Sequence, residues 1–337
     1  MPAHEQIAIL GAGTWGAVLA WLYGINGRSV SLWSHDPEKA AHLSAQRKIE
    51  KPLAIAIPES VRITGDLAAA VSGADIVVVC CTSQSMRLVA GRLAEALAAS
   101  GSRPTLVSAV KGLELGTFKR MSEILCETLP HLPVCALSGP NLAAEILAGR
   151  PAASVAACAD LETARAVQRR LSVPSFRVYA NDDLAGVELG GSLKNIIAIA
   201  AGSSDGLELG ANARAALLTR GLAEMTRLAV ALGARPLTLS GLAGMGDLFA
   251  TCSSALSRNY RLGYAMAQGK SPQEALAALG ATAEGVPTTE AVCELSKRLG
   301  IEMPIAEQVE ATLKGKSTPQ GAIMTLMTRP LAIENPG

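Results

Sequence analysis

The stretch GGSLKNIIAIAAG, residues 190–202, places Lys194 among small and apolar residues. At helical spacing its own face holds Gly190 and Gly191 behind it and Ile197, Ala198 and Ala201 ahead, with no carboxylate three or four positions away. Such a lysine either pairs with a group from elsewhere in the chain or is held ready for a ligand. The neighbouring glycines leave room beside it for a small substrate.

Three other stretches carry groups of the same kind. SAVKGLE sets Lys111 directly after a strand pattern, at the edge where open α/β sheets bind ligands, although a surface lysine in a loop has the same signature. GLAGMGDLFATCSSALSRNYRLG leads through Gly241, Gly244 and Gly246 to Asp247, placed to cap a helix. Ser257 then reads as the N-cap of the next helix, with Arg258 and Asn259 in its first turn. A hydroxyl, a guanidinium fork, an amide and free N–H groups at one helix start suit a phosphate; the bland alternative is an exposed basic helix end. In LSGPNLAAEI, Gly139 and Pro140 fix a turn from which Asn141 can face a ligand, or which is structural only.

These residues need elements to hold them. Short apolar runs begin at Ile7, Ser29, Ala74, Thr105, Pro133, Ala153 and Ser175 and alternate with alanine- and leucine-rich helical stretches, as strands of a parallel sheet covered on both faces do. After about residue 181 the strand pattern stops and helical periodicity continues to the end. The expected fold is α/β: an N-terminal Rossmann-type, mostly parallel sheet domain over residues 1–180, then an all-α domain over 181–337.

The first strand runs into ILGAGTWGAVLAWLYGING, with Gly11, Gly13 and Gly16 in a G-x-G-x-x-G array between strand and helix. In that context the glycines permit a tight turn, close approach of the backbone to a pyrophosphate and close helix packing. The second strand ends LWSHDPEK. Ser34 and His35 therefore precede Asp36, where an NAD site wants an acid for both ribose hydroxyls. Ser34 and His35, with Arg47 and Lys48 nearby, could bind a 2′-phosphate while Asp36 caps a helix. The reading favours NADPH with NADH tolerated.

Composition narrows the classes. The formal charge is +1, with both signs mixed along the chain, and aromatic residues make up 3%, so neither a nucleic-acid nor an anionic-membrane surface is indicated. The seven cysteines are odd in number and scattered, without CxxC or a His-rich cluster, which speaks against a disulfide framework or a metal site. No uninterrupted apolar stretch reaches the roughly 18 residues of a membrane span, and MPAHEQIAIL lacks the regions of a secretory signal. The expectation is a soluble protein of the cytoplasm with no membrane insertion.

Taken together, GAGTWG, VKGLE, SGPNLAAEI, ELGGSLKNIIAIAAGSSDGLELGANARAALLTRGLAEM, GLAGMGDL and SRNYRLG, in this order and over nearly the whole chain, resemble bacterial NAD(P)-dependent sn-glycerol-3-phosphate dehydrogenase. The resemblance implies reduction of dihydroxyacetone phosphate to sn-glycerol 3-phosphate, for phospholipid synthesis, by a homodimer. It implies that Lys194 is the catalytic lysine, that Lys111 contacts cofactor and substrate, and that Asp247 is the acid beside the substrate. Ser257, Arg258 and Asn259 match the phosphate-binding group, and Gly139 and Asn141 the turn that touches substrate, Asn141 standing where many members have serine. Thr14, Trp15, His35, Ala143, Arg258 and Glu284 match cofactor contacts. Two rival readings share parts of this pattern: β-hydroxyacid dehydrogenases or ketopantoate reductases, which would not need the 257–259 group, and a cofactor-sensing protein without catalysis, which would not need Lys194 and Asp247 together.

Overall fold

The structure is a computed structural model that describes residues 6–280, 282–331 and 333–334; residues 1–5 and 335–337 of the expected domains lie outside them. Among the described residues there are ten strands: β1 Gln6–Leu10, β2 Ser29–Trp33, β3 Lys48–Ile49, β4 Ile55–Ala56, β5 Val61–Thr64, β6 Ile76–Val79, β7 Thr105–Ser108, β8 Val134–Ser138, β9 Ala152–Ala157 and β10 Phe176–Asn181. The helices among and after them are α1 Thr14–Ile25, α2 Pro37–Gln46, α3 Leu67–Val71, α4 Met86–Ser100, α5 Met121–Thr128, α6 Ala143–Leu147 and α7 Leu161–Leu171. The described residues that follow form helices: α8 Leu184–Gly206, α9 Gly210–Ala231, α10 Pro236–Leu239, α11 Asp247–Cys252, α12 Arg258–Ala267, α13 Pro272–Leu279, α14 Gly285–Leu299, α15 Pro304–Leu313 and α16 Pro319–Met327.

Eight strands form one sheet in the order β10-β9-β8-β7-β6-β1-β2-β5, while β3 and β4 make a separate two-stranded hairpin. All pairings in the large sheet are parallel except β8 with β9. Both faces are covered, which explains the unbroken apolar runs: Ile7, Ile9 and Val78 enter one core, Ala8, Leu10, Val77 and Val79 the other. The seven runs read from sequence are all strands. The edge strand β5 was missed because VRIT is short and leaves Arg62 exposed.

Register brings the functional loops together. Leu10 lies opposite both Trp33 and Val79, and Val79 opposite Ser108, so the segments after β1, β2, β6 and β7 leave one edge of the sheet at the same level.

The 23-residue α8 is the spine of the helical half. Its length and mean hydropathy of 1.3 would suffice to cross a membrane, but 83% of that window is buried inside the protein, between other helices and the β8–β9 part of the sheet. Glycines set how near those neighbours come. A Cβ on Gly202 would lie 1.9 Å from the Tyr260 carbonyl, and one on Gly263 would lie 1.9 Å from the Ile199 carbonyl, so α8 and α12 cross backbone to backbone. That crossing brings the start of α12 beside the middle of α8.

Candidate active site

Lys194 projects from α8 and is 6% exposed. Its Nζ donates to Asp247 Oδ1 at 2.9 Å and to Thr251 Oγ1 at 2.5 Å. The partner missing from α8 is supplied by α11. Asp247 is not a helix cap as expected. A π-helical turn, Leu242–Gly246, runs directly into α11, and the carboxylate faces the lysines instead.

The space beside Lys194 is also used differently from the expectation. A Cβ on Gly190 would lie 2.7 Å from the Ala243 carbonyl, and one on Gly191 would lie 2.3 Å from Ser138 Oγ and 3.5 Å from Lys111 Cδ. These glycines admit protein, namely the π turn and the Lys111 side chain, rather than holding a void for substrate.

Lys111 arrives from the sheet. Its Nζ donates to Asp247 Oδ2 at 2.5 Å and to the Gly139 carbonyl at 3.0 Å. Burial lowers its pKa to about 8; Asp247 opposes the shift, and the nearby Lys194 charge adds to it. Burial works to raise the Asp247 carboxyl, but Lys111 and then Lys194 outweigh it and hold the group below the ordinary carboxylate range. One buried carboxylate between two ammonium groups is a charged, desolvated centre in which hydrogen bonds orient every member. Thr251, which also donates to Asp247 Oδ1 at 3.1 Å, was not read from sequence; its spacing of four from Asp247 in DLFAT was the available signal.

The start of α12 follows the expected pattern in part. Ser257 is the N-cap, its Oγ accepting from the Tyr260 amide at 3.2 Å. Arg258 is exposed, and among the described residues its guanidinium has no hydrogen bond or ion pair. Asn259 is buried, and its side-chain carbonyl accepts from the Gly285 amide at 3.0 Å, leaving the amide nitrogen as its donor toward a ligand. Glu284 stands just before α14 and reaches the sheet edge, accepting from Ser83 N at 3.1 Å and Ser83 Oγ at 2.5 Å. Ser83 is a further residue that sequence reasoning missed.

At the end of β8, Gly139 has φ +149°, and a Cβ there would meet Ser154 Cα at 3.0 Å, so this turn requires glycine. Asn141 is fixed by its Nδ2 donating to Ser154 Oγ at 3.1 Å, and its buried Oδ1 has no hydrogen-bond partner among the described residues. Ala143 opens α6.

The residues after β1 form a cradle of the expected kind. Gly11 has φ +123°, and a Cβ would lie 2.8 Å from the Cys80 carbonyl; Gly16 packs against the Gly11 carbonyl, where a Cβ would lie at 2.0 Å. Around Gly13 a Cβ would meet nothing within 4 Å, and it leads into α1 without a side-chain cap. The amides of the first turn, at Thr14, Trp15 and Gly16, are thus left for an anionic ligand. After β2, His35 is exposed, Ser34 is buried, and Asp36 caps α2 through the Glu38 and Lys39 amides at 3.0 and 3.1 Å. Arg47 and Lys48 do not join them: Arg47 binds Glu59 and the Val61 carbonyl, and Lys48 pairs with Glu50.

The chain is similar to known proteins over nearly its whole length. Residues 6–164 match the family described as NAD-dependent glycerol-3-phosphate dehydrogenase N-terminus, and residues 183–324 match its C-terminus counterpart. The chain is 47% identical to a glycerol-3-phosphate dehydrogenase [NAD(P)+] of Chlorobium phaeobacteroides, over 96% of this chain and 97% of that protein. It is 46% identical to the enzyme so named from Geobacillus thermodenitrificans, over 96% and 95%. The crystal structure of a glycerol-3-phosphate dehydrogenase from Coxiella burnetii superposes with a TM-score of 0.91 at 38% identity, covering 97% of this chain and all of that one.

Proposed function

The chain belongs to the NAD-dependent glycerol-3-phosphate dehydrogenase family, and from that premise we propose how its own residues carry out the reaction. It is an NAD(P)-dependent oxidoreductase that interconverts dihydroxyacetone phosphate and sn-glycerol 3-phosphate. The cofactor, when bound, supplies or accepts the hydride at C2.

Lys194 as ammonium has three N–H donors, two of which are spent on Asp247 and Thr251. The third is left for the C2 oxygen, where it polarises the ketone and gives up its proton as the alcohol forms; in oxidation the amine takes that proton back. Lys111 likewise spends two donors, on Gly139 and Asp247, and keeps one for substrate. Asp247 orients both ammonium groups and balances their charge. Ser257, Arg258, Asn259 and the first amides of α12 hold the substrate phosphate, and Gly139 and Asn141 border the other end of the substrate. The observation that carries this reading is the convergence of Lys111 and Lys194 on one buried carboxylate.

Gly11, Gly13 and Gly16 with the start of α1, including Thr14 and Trp15, hold the cofactor's pyrophosphate, with His35, Ala143, Arg258 and Glu284 as further contacts. NADPH is the preferred partner in this reading, because Ser34 and His35 stand after β2 where an NAD site would place an acid, and Asp36 follows them as the cap of α2. The chain divides near residue 180, between the sheet that ends at Asn181 and the helices that begin at Leu184. Its setting is the cytoplasm, as a homodimer making glycerol 3-phosphate for phospholipids. The test is NADPH oxidation on adding dihydroxyacetone phosphate, beside unphosphorylated dihydroxyacetone: turnover should require the phosphate, and equal rates with the two ketones would refute the phosphate site.

A further inference from the structure

Glu188 is a buried acid that the chemistry above leaves unused. It lies on α8 six residues before Lys194, and its carboxylate faces the start of α5 on the sheet side. Oε1 accepts from the Ser122 amide at 2.8 Å; Oε2 accepts from Ser122 Oγ at 2.5 Å and from Arg120 Nη1 at 2.8 Å. That amide is one of the first-turn donors that a helix cannot satisfy itself, so a carboxylate from α8 occupies the positive end of α5. One turn further along α8, Ser192 Oγ donates to the Glu188 carbonyl at 2.8 Å and lies 3.4 Å from the carbonyl of Gly112, the residue after Lys111. Gly191, beside it, is packed against Ser138 Oγ and the Lys111 side chain. Residues 188, 191 and 192 share one face of α8, and all three rest on the sheet half.

The catalytic group is split across the same boundary. Lys111 comes from the loop after β7, whereas Lys194 and Asp247 come from the helical half. A slip of α8 by a single residue moves Lys194 by about 1.5 Å along the axis. Such a slip would break the Lys194 contacts with Asp247 at 2.9 Å and Thr251 at 2.5 Å. The spacing of the two lysines therefore depends on what fixes α8 lengthwise against the segment 111–122. Glu188 is a charged anchor at that seam, and burial keeps water from competing for its bonds.

We propose that Glu188 is a positioning residue: through Arg120 and Ser122 it fixes α8 against the start of α5, so that Lys194 and Lys111 share Asp247. The role rests on the reaction assigned above. It places the Arg120–Glu188 pair outside contact with substrate or cofactor but inside the machinery that sets the transition-state geometry.

The test uses Glu188→Gln in the full chain, alone and combined with Lys194→Ala, with NADPH oxidation by dihydroxyacetone phosphate and the NADPH Kd measured for each. The single variant should lose about ten- to a hundredfold in kcat, as small misplacements of reacting groups do, while the NADPH Kd stays within about twofold. In the Lys194→Ala background the same change should cost almost nothing more, because its effect passes through that lysine. Ser122→Ala, which removes one donor and leaves the ion pair, should show a smaller loss with the same pattern and serves if Glu188→Gln folds poorly. Wild-type kcat in either folded single variant would overturn the role, as would a full additional loss in the Lys194→Ala background. A wild type that binds NADPH but does not reduce dihydroxyacetone phosphate would overturn the reaction itself.

Discussion

Lys111 and Lys194 donate to opposite oxygens of Asp247, at 2.5 and 2.9 Å, although one comes from the sheet and the other from the central helix. Two ammonium groups so close would repel each other without the carboxylate. The carboxylate would in turn be costly to bury without them.

The shared acid makes the pH profile informative. Lys111, with its pKa lowered to about 8, is ammonium below that pH and becomes neutral as pH rises through it. Reduction of dihydroxyacetone phosphate should therefore decline on the alkaline side from about pH 8. Asp247→Asn removes the attraction that holds the Lys111 pKa up, so the decline should move to lower pH and kcat should fall about a hundredfold or more. A kcat/KM profile for both proteins checks this; an unchanged alkaline limb in Asp247→Asn would show that the two groups are not coupled.

Thr251 Oγ1 accepts from Lys194 Nζ at 2.5 Å. Thr251→Val keeps the shape but removes a hydrogen bond to a charged group, about 1.5–3 kcal/mol. The expected loss in kcat is about ten- to a hundredfold, with Thr251→Ser close to wild type. Steady-state kinetics of the two variants, compared at saturating substrate, distinguishes the hydroxyl from the methyl.

Arg258 has no hydrogen bond or ion pair among the described residues and stands at the start of a ten-residue helix capped by Ser257. Arg258→Ala should raise KM for dihydroxyacetone phosphate about ten- to a hundredfold, the worth of a charge-assisted contact, with a smaller effect on kcat. An unchanged KM would put the phosphate elsewhere.

The crossing of α8 and α12 leaves no room for a side chain. Gly263→Ala would put a Cβ 1.9 Å from the Ile199 carbonyl, so the helices must separate, at a cost of about 1–3 kcal/mol or more. A lower thermal midpoint together with a higher KM for the phosphorylated substrate is expected, since the crossing also places Ser257 to Asn259. Wild-type values of both would contradict the close approach.

Much of this was legible in the sequence because the signals were local. Apolar runs marked seven strands, the glycine array marked the cradle, and Ser257 marked a helix start that the structure reproduces. What was not legible depended on pairing across the fold. Nothing near Asp247 in sequence says that its carboxylate meets two lysines, because a carboxylate before a helical stretch looks the same whether it caps or reaches outward. The glycines before Lys194 announced close approach, but only the packing shows that Ala243, Ser138 and Lys111 fill the space. Thr251, Ser83 and Glu188 are hard to read for the same reason: their partners Lys194, Glu284 and Ser122 lie 57, 201 and 66 positions away.

The most direct test of the lysine's role is the rate of hydride transfer in a single turnover by Lys194→Ala, with enzyme in excess over NADPH and saturating dihydroxyacetone phosphate. Loss of the proton donor should slow that step by about a hundredfold or more while the NADPH Kd stays near the wild-type value. A hydride-transfer rate close to wild type, in protein that binds NADPH normally, would contradict the assignment of Lys194 as the proton donor.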